Sequence, residues 1–235
     1  MNRKQTAWKK SRKFGDIYGG RSRVRLNDNI FKRAHSLKRP GQNDELSILI
    51  QDNPSRDFFF PISLEEAVTA INALPDIDTQ GLTHIWLRRL KKSDYEKGQL
   101  PLAEFICGSG VRVIVLYPFP VSMMMNLGPR KPSSRTLKEL KNWHCDLQNK
   151  DGTWQAKWQL PFLRQYYINN ILYHEVGHHI DQYFRHWSKA NHRQIEEFAD
   201  QYAIQRTTTA THVFNHLENL RESSDKYQST RIYTD

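Results

Sequence analysis

Cysteine is almost missing from this 235-residue chain. Its two cysteines, Cys107 and Cys145, stand far apart and form no metal-binding pair. A disulfide-stapled scaffold is therefore excluded. Long apolar runs are missing too. No window approaches the roughly eighteen consecutive apolar residues of a membrane-spanning helix, so no span is expected. The N-terminus is basic, but no apolar stretch follows it, and no secretory signal is expected. Hydrophobic residues make up 38% of the chain and mean hydropathy is −0.75. At 27.8 kDa that still suffices for one compact domain with an extension, or two small domains. A cytoplasmic location is the default expectation.

The formal charge of +10 is unevenly placed. Residues 1–40 hold thirteen Lys or Arg and two Asp, a net +11. The other 195 residues hold 22 basic and 23 acidic side chains. The basic character thus belongs to an appendage, residues 1–45, and a nearly neutral body follows over residues 46–235. The extension is low in apolar residues and holds no helical period. It reads either as a solubilising tail or as a contact for nucleic acid or an acidic partner. Lys9, Lys10, Arg12, Lys13, Arg21, Arg23 and Arg25 are the candidate contacts, with Trp8, Phe14, Tyr18 and Phe31 interleaved. No defined nucleic-acid motif accompanies them.

The body begins as a sheet. Leu46–Ile50, Leu82–Leu90, Leu102–Cys107 and Val111–Tyr117 read as strands. The last two form a hairpin around Gly108 and Gly110. His84, inside the second strand, reads as structural. Between the first two strands, Ser63 and Glu66 make a capping box for a helix that Pro75 ends. Met123, Met124 and Met125 form a soft cluster for core filling or a loop contact. Residues 131–142 suit a short helix or an insertion. Trp143–Leu147 and Trp154–Trp158 suit strands around an Asp151–Gly152 turn. An edge strand in such a sheet could bind an extended peptide, though the sequence does not say which strand that is.

Pro161 opens a long helix expected to reach Trp187. Within it stands His174-Glu175-Val176-Gly177-His178. Residues four apart lie on one helix face, so both imidazoles can converge on one metal ion. Glu175 is one residue round and can reach a water without taking a ligand position. This is the pattern for two histidines on zinc with a glutamate as general base. A third protein ligand is needed. After a turn over residues 188–192, a second helix carries Glu196-Glu197-Phe198-Ala199-Asp200. Glu196 and Asp200 are again four apart. Glu196 suits the third ligand, with Glu197 as its rival and His192 as another alternative. Asp200 suits a carboxylate that orients a zinc histidine. Gly177 weakens its helix, and a small residue there would allow close approach by another element.

H-E-x-x-H followed by E-x-x-x-D resembles the gluzincin branch of the zinc metallopeptidases, the thermolysin-like arrangement. The resemblance covers roughly residues 170–200. It implies an α+β fold: a zincin-like mixed sheet packed on a metal-binding helix, followed by a second, glutamate-bearing helix. It implies Zn2+ bound by His174, His178 and Glu196, with Asp200 orienting His174. It also implies water activation by Glu175 and hydrolysis of a protein or peptide substrate.

The oxyanion donor is not identified by sequence. Tyr183, Tyr202, His212 and His216 are candidates, as are Tyr166 and Tyr167. His179 points off the metal face, and Asp181 could touch the rim of the site. Two other readings stand beside the peptidase. Peptide deformylases combine H-E-x-x-H with an upstream cysteine ligand, a part Cys145 could play, though its surroundings do not match. The other is a nucleic-acid-associated or protein-interaction module on a zincin-like scaffold, with weak or no catalysis. A final helix is expected over His212–Leu220, after a threonine run that weakens helical propensity.

Overall fold

A computed structural model describes residues 37–90, 102–108 and 110–231, with backbone alone for residues 189 and 224–231. Strand β1 (Ile48–Gln51) leads through the two-residue β2 (Phe58–Phe59) to helix α1 (Leu64–Asn72) and the single turn α2 (Asp76–Thr79). The capping box is present: Ser63 Oγ accepts from the Glu66 amide, and the Ser63 amide donates to Glu66 Oε2. Strands β3 (His84–Leu87), β4 (Ala103–Gly108) and β5 (Val111–Leu116) complete the main sheet. Its order is β1-β3-β5-β4, with the first three parallel and β4 antiparallel to β5. The edge strands that the sequence left open are therefore β1 and β4.

Alternation sorts the sheet's side chains. Ile85, Leu87, Ile114, Leu116 and Phe105 face α1 and the helix that carries the H-E-x-x-H cluster, in the larger core. Trp86, Val113, Val115 and Ile106 face the other way, with Leu37 and Phe58 against them. Leu37 lies within the expected N-terminal extension yet is 7% exposed. The β4–β5 turn uses Gly110 at φ +79°, where Arg39 packs so closely that a Cβ would meet its Cδ at 2.7 Å.

Strand β6 (Phe119–Pro120) pairs with β2. A second, antiparallel sheet follows, formed by β7 (Met124–Gly128), β8 (Asp146–Lys150) and β9 (Thr153–Lys157) in the order β7-β9-β8. Helix α3 (Ser134–Asn142) interrupts it, capped by Ser133. The β8–β9 turn places Asp151 and Gly152 at φ 51° and 75°, as a two-residue hairpin of right-handed twist demands. The methionine cluster supplies an edge strand here, while Met123 and Met125 pack on the core.

The expected continuous helix is three segments: α4 (Leu160–Tyr166), a π-helical stretch (Tyr167–Leu172) and α5 (Tyr173–Phe184). A regular helix would hold Leu163, Tyr167 and Ile171 on one face and leave Ile168 and Leu172 off it; all five are buried. Tyr167 donates to the Tyr117 carbonyl and Tyr173 to the Ala70 carbonyl, which fixes this segment to the sheet and to α1. The helix also stops at Phe184, before Trp187. Arg185 is extended, and the chain turns back so that the Trp187 indole donates to Asp181 Oδ2 at 2.8 Å.

After a 3₁₀ turn (Lys189–Asn191) come α6 (His192–Gln205) and α7 (Thr207–Arg231). The threonine run is inside α7, contrary to expectation. Ala210, Val213 and Leu217 bury one stripe, and the Thr211 hydroxyl bonds back to the Thr207 carbonyl. Packing outweighs a weak propensity here. No helix among the described residues is long and apolar enough to cross a membrane.

Candidate metal centre

Helices α5 and α6 cross where both are small. A Cβ added to Gly177 would stand 2.7 Å from Ala199 Cα and 3.2 Å from its Cβ. Glycine is therefore required for the approach, not for a turn. The close crossing brings the i,i+4 pair of α6 over the i,i+4 pair of α5.

The donors then converge. Glu196 Oε2 lies 3.5 Å from His174 Nε2, and Glu196 Oε1 lies 3.8 Å from His178 Nε2. The two imidazoles meet edge to face, with centroids 4.6 Å apart. Ligand atoms of His174, Glu175 and His178 all lie within 4.8 Å of one another. Ligands about 2.0–2.1 Å from a tetrahedral zinc stand roughly 3.3–3.5 Å apart, so this spacing suits one such ion with little adjustment. The rival Glu197 points elsewhere, 2.6 Å from Arg193 Nε.

The two histidines are held differently. His174 Nδ1 faces Asp200 Oδ1 at 3.1 Å. A proton on that nitrogen leaves Nε2 bare for a metal. His178 Nδ1 is buried and has no hydrogen-bond partner among the described residues. Its ring is instead packed edge-on by Trp187, with centroids 5.4 Å apart. Asp181, 1% exposed, anchors that indole and also pairs with Arg185.

The two histidines differ in their electrostatics. Burial pushes His178 down to about 4, helped by the neighbouring His174, so its imidazole is neutral at pH 7. Burial opposes a charge on His174 as well, but its hydrogen bond with Glu196 and the charges of Glu175 and Asp200 raise it on balance. Glu196 is held below the usual carboxylate range, chiefly by the hydrogen bond from His174. Glu175 is pushed up to about 8, mainly by burial. The Phe105 backbone N–H acts against that shift by bonding the charged form.

Phe105 belongs to β4, and this is how the sheet reaches the chemistry. Ala103, Glu104 and Phe105 form one wall of a cavity of about 390 Å³. His174, Glu175, His178 and Glu196 line it too, together with Trp187, Ser188, His192 and Ile195. The edge of β4 not paired with β5 borders this cavity. A group of one base and three donors beneath a strand edge is consistent with a zinc-coordinating arrangement in which the glutamate acts as base.

Chain comparison gives no relative. Neither protein-family models, nor curated proteins, nor solved structures match it. The gluzincin-type site is carried by its own residues: the H-E-x-x-H cluster and the downstream Glu196 that meets both histidines.

The other sequence candidates fall elsewhere. The Tyr183 hydroxyl donates to the Gln80 carbonyl, and the Tyr202 hydroxyl to Asp78. Tyr167 is committed to Tyr117, and Tyr166 packs between Trp143 and Trp158. His212 and His216 are exposed on α7 and do not line the cavity. His179 is 1% exposed, with Nε2 3.1 Å from the Gln80 carbonyl. His84 is a buried partner of Thr83, as read from sequence. Cys145 is buried away from the cavity, and burial pushes its thiol up to about 12, which removes the basis for a deformylase. Lys9, Lys10, Arg12, Lys13, Arg21, Arg23 and Arg25 lie outside the described residues. Sequence reading missed Trp187 and the β4 wall. Trp187 carries a weak signal, an apolar residue in a polar connector; the β4 wall carries none.

Proposed function

We propose that the chain is a zinc-dependent peptidase that hydrolyses a peptide bond in a protein or peptide. The placement of Glu196 between two Nε2 atoms, with Glu175 beside them under a strand edge, carries this reading. His174, His178 and Glu196 would hold the zinc, which when bound polarises a carbonyl and lowers the pKa of water. Asp200 fixes the His174 tautomer. An extended substrate adds its backbone to the unpaired edge of β4, which aligns a scissile carbonyl over the cavity. Glu175 removes a proton from the attacking water, whose oxygen bonds to the carbonyl carbon. Glu175 then returns that proton to the amide nitrogen as the C–N bond breaks.

Metal analysis tests the assignment. Wild type should hold about one zinc per chain. His174→Ala and Glu196→Ala should lose or weaken it, and Glu175→Gln should retain it without turnover. A folded wild type that takes up no metal after replenishment would overturn the reading.

The basic extension supports a second, separable activity, binding of nucleic acid or an acidic partner. Removal of residues 1–36 leaves the buried Leu37 in place. That truncation should abolish binding to a polyanion such as heparin and spare peptide cleavage; undiminished binding would refute the division.

A further inference from the structure

A peptidase of this design needs a hydrogen-bond donor where the carbonyl oxygen gathers negative charge. None of the six residues that sequence offered for that task lines the cavity. Setting aside the proposed ligands and Glu175, three lining side chains carry an N–H or O–H: Trp187, Ser188 and His192. Trp187 gives its N–H to Asp181, and Ser188 gives its hydroxyl to Asn191 Oδ1 at 2.9 Å. His192 remains.

Its position is defined. His192 opens α6, one turn before Glu196 on the same face, and its Nε2 lies 3.8 Å from Glu196 Oε1. That same oxygen lies 3.8 Å from His178 Nε2. The preceding turn is locked: the Ser188 amide donates to Asn191 Oδ1, and Asn191 Nδ2 donates to the His186 carbonyl. The helix start is therefore fixed, while the His192 side chain, 72% exposed, stands at the cavity mouth. The histidines on α5 are only 17% and 10% exposed. An imidazole this solvated can move onto an incoming substrate.

We infer that His192 is a catalytic residue that donates an N–H hydrogen bond to the substrate's carbonyl oxygen as the tetrahedral transition state forms. The inference rests on the peptidase reading above. It assigns to the first turn of α6 a role that is distinct from metal binding.

The test uses the zinc-loaded full chain, the quenched peptide it cleaves best from a mixed library, and a phosphinic analogue of that peptide. His192→Ala should lower kcat by about 10²-fold, with KM little changed. It should weaken the phosphinic analogue by a similar factor, because that compound mimics the transition state. Zinc content and zinc affinity, measured by chelator competition, should stay at wild-type levels. His192→Gln, which keeps an N–H donor, should recover part of the loss. A fall in zinc affinity matching that of Glu196→Ala would make His192 a ligand and overturn the proposal. So would unchanged kcat in an active enzyme. A wild type that holds zinc yet neither cleaves any peptide nor binds any phosphinic analogue would sink the peptidase reading itself, and this assignment with it.

Discussion

Helix α5 buries its chemistry, and helix α6 leaves its chemistry half in water. The His174 and His178 side chains are 17% and 10% exposed, against 44% and 47% for Glu196 and Asp200. Each helix presents an i,i+4 pair, so the local geometry is the same. The surroundings differ. Burial under the sheet keeps the His178 imidazole neutral and raises the proton affinity of Glu175. Partial hydration and the facing histidines keep Glu196 ionised. One helix thus sets a base and a neutral imidazole at His178, and the other supplies negative charge. The small pair Gly177 and Ala199 holds them at working distance.

That contrast can be attacked from either side. The largest expected effect is on the buried side. Glu175→Gln should keep the metal and lower kcat by about 10³-fold; near-normal turnover would remove Glu175 as the base. On the hydrated side, Asp200→Asn should weaken metal binding by about 10- to 100-fold. An unchanged metal affinity would show that the contact with His174 Nδ1 orients nothing.

The crossing itself is the third target. Gly177→Ala improves helix propensity, by roughly 1 kcal/mol. Its Cβ, however, would meet backbone at 2.7 Å. The overpacking cost is about 1–3 kcal/mol, so the net result should be a lower melting temperature together with weaker metal binding. A more stable variant with full metal affinity would mean that the helices need no close approach. The smallest effect is expected at Tyr202→Phe. It removes the bond to Asp78 and should cost about 1 kcal/mol of stability with kcat unchanged. A large loss of kcat would return Tyr202 to the list of oxyanion donors.

Much of the frame was legible from short-range patterns. The capping box at Ser63, the β4–β5 hairpin and the Asp151–Gly152 turn each depend on a few neighbouring residues, and each is present. The failures arose where distant packing intervenes. The π-helical stretch before α5 buries Ile168 and Leu172, which a 3.6-residue period leaves outside. The stop at Phe184 follows from the Trp187–Asp181 bond, which no helix rule contains. The threonine run stays helical because Ala210, Val213 and Leu217 have a core to join. Tyr183 and Tyr202 were plausible donors by type and position, but their hydroxyls are committed to Gln80 and Asp78.

The sequence by itself determined the metal-binding alphabet. The i,i+4 spacing of His174 with His178, and of Glu196 with Asp200, is a property of any helix that carries those residues. Tertiary structure decided the rest. It chose Glu196 over Glu197, set Asp200 on His174 and Trp187 on His178, and laid the edge of β4 beside Glu175. Those choices depend on how closely two helices and a strand approach one another. That distance is fixed by the volumes packed between them, and no spacing along the chain encodes it.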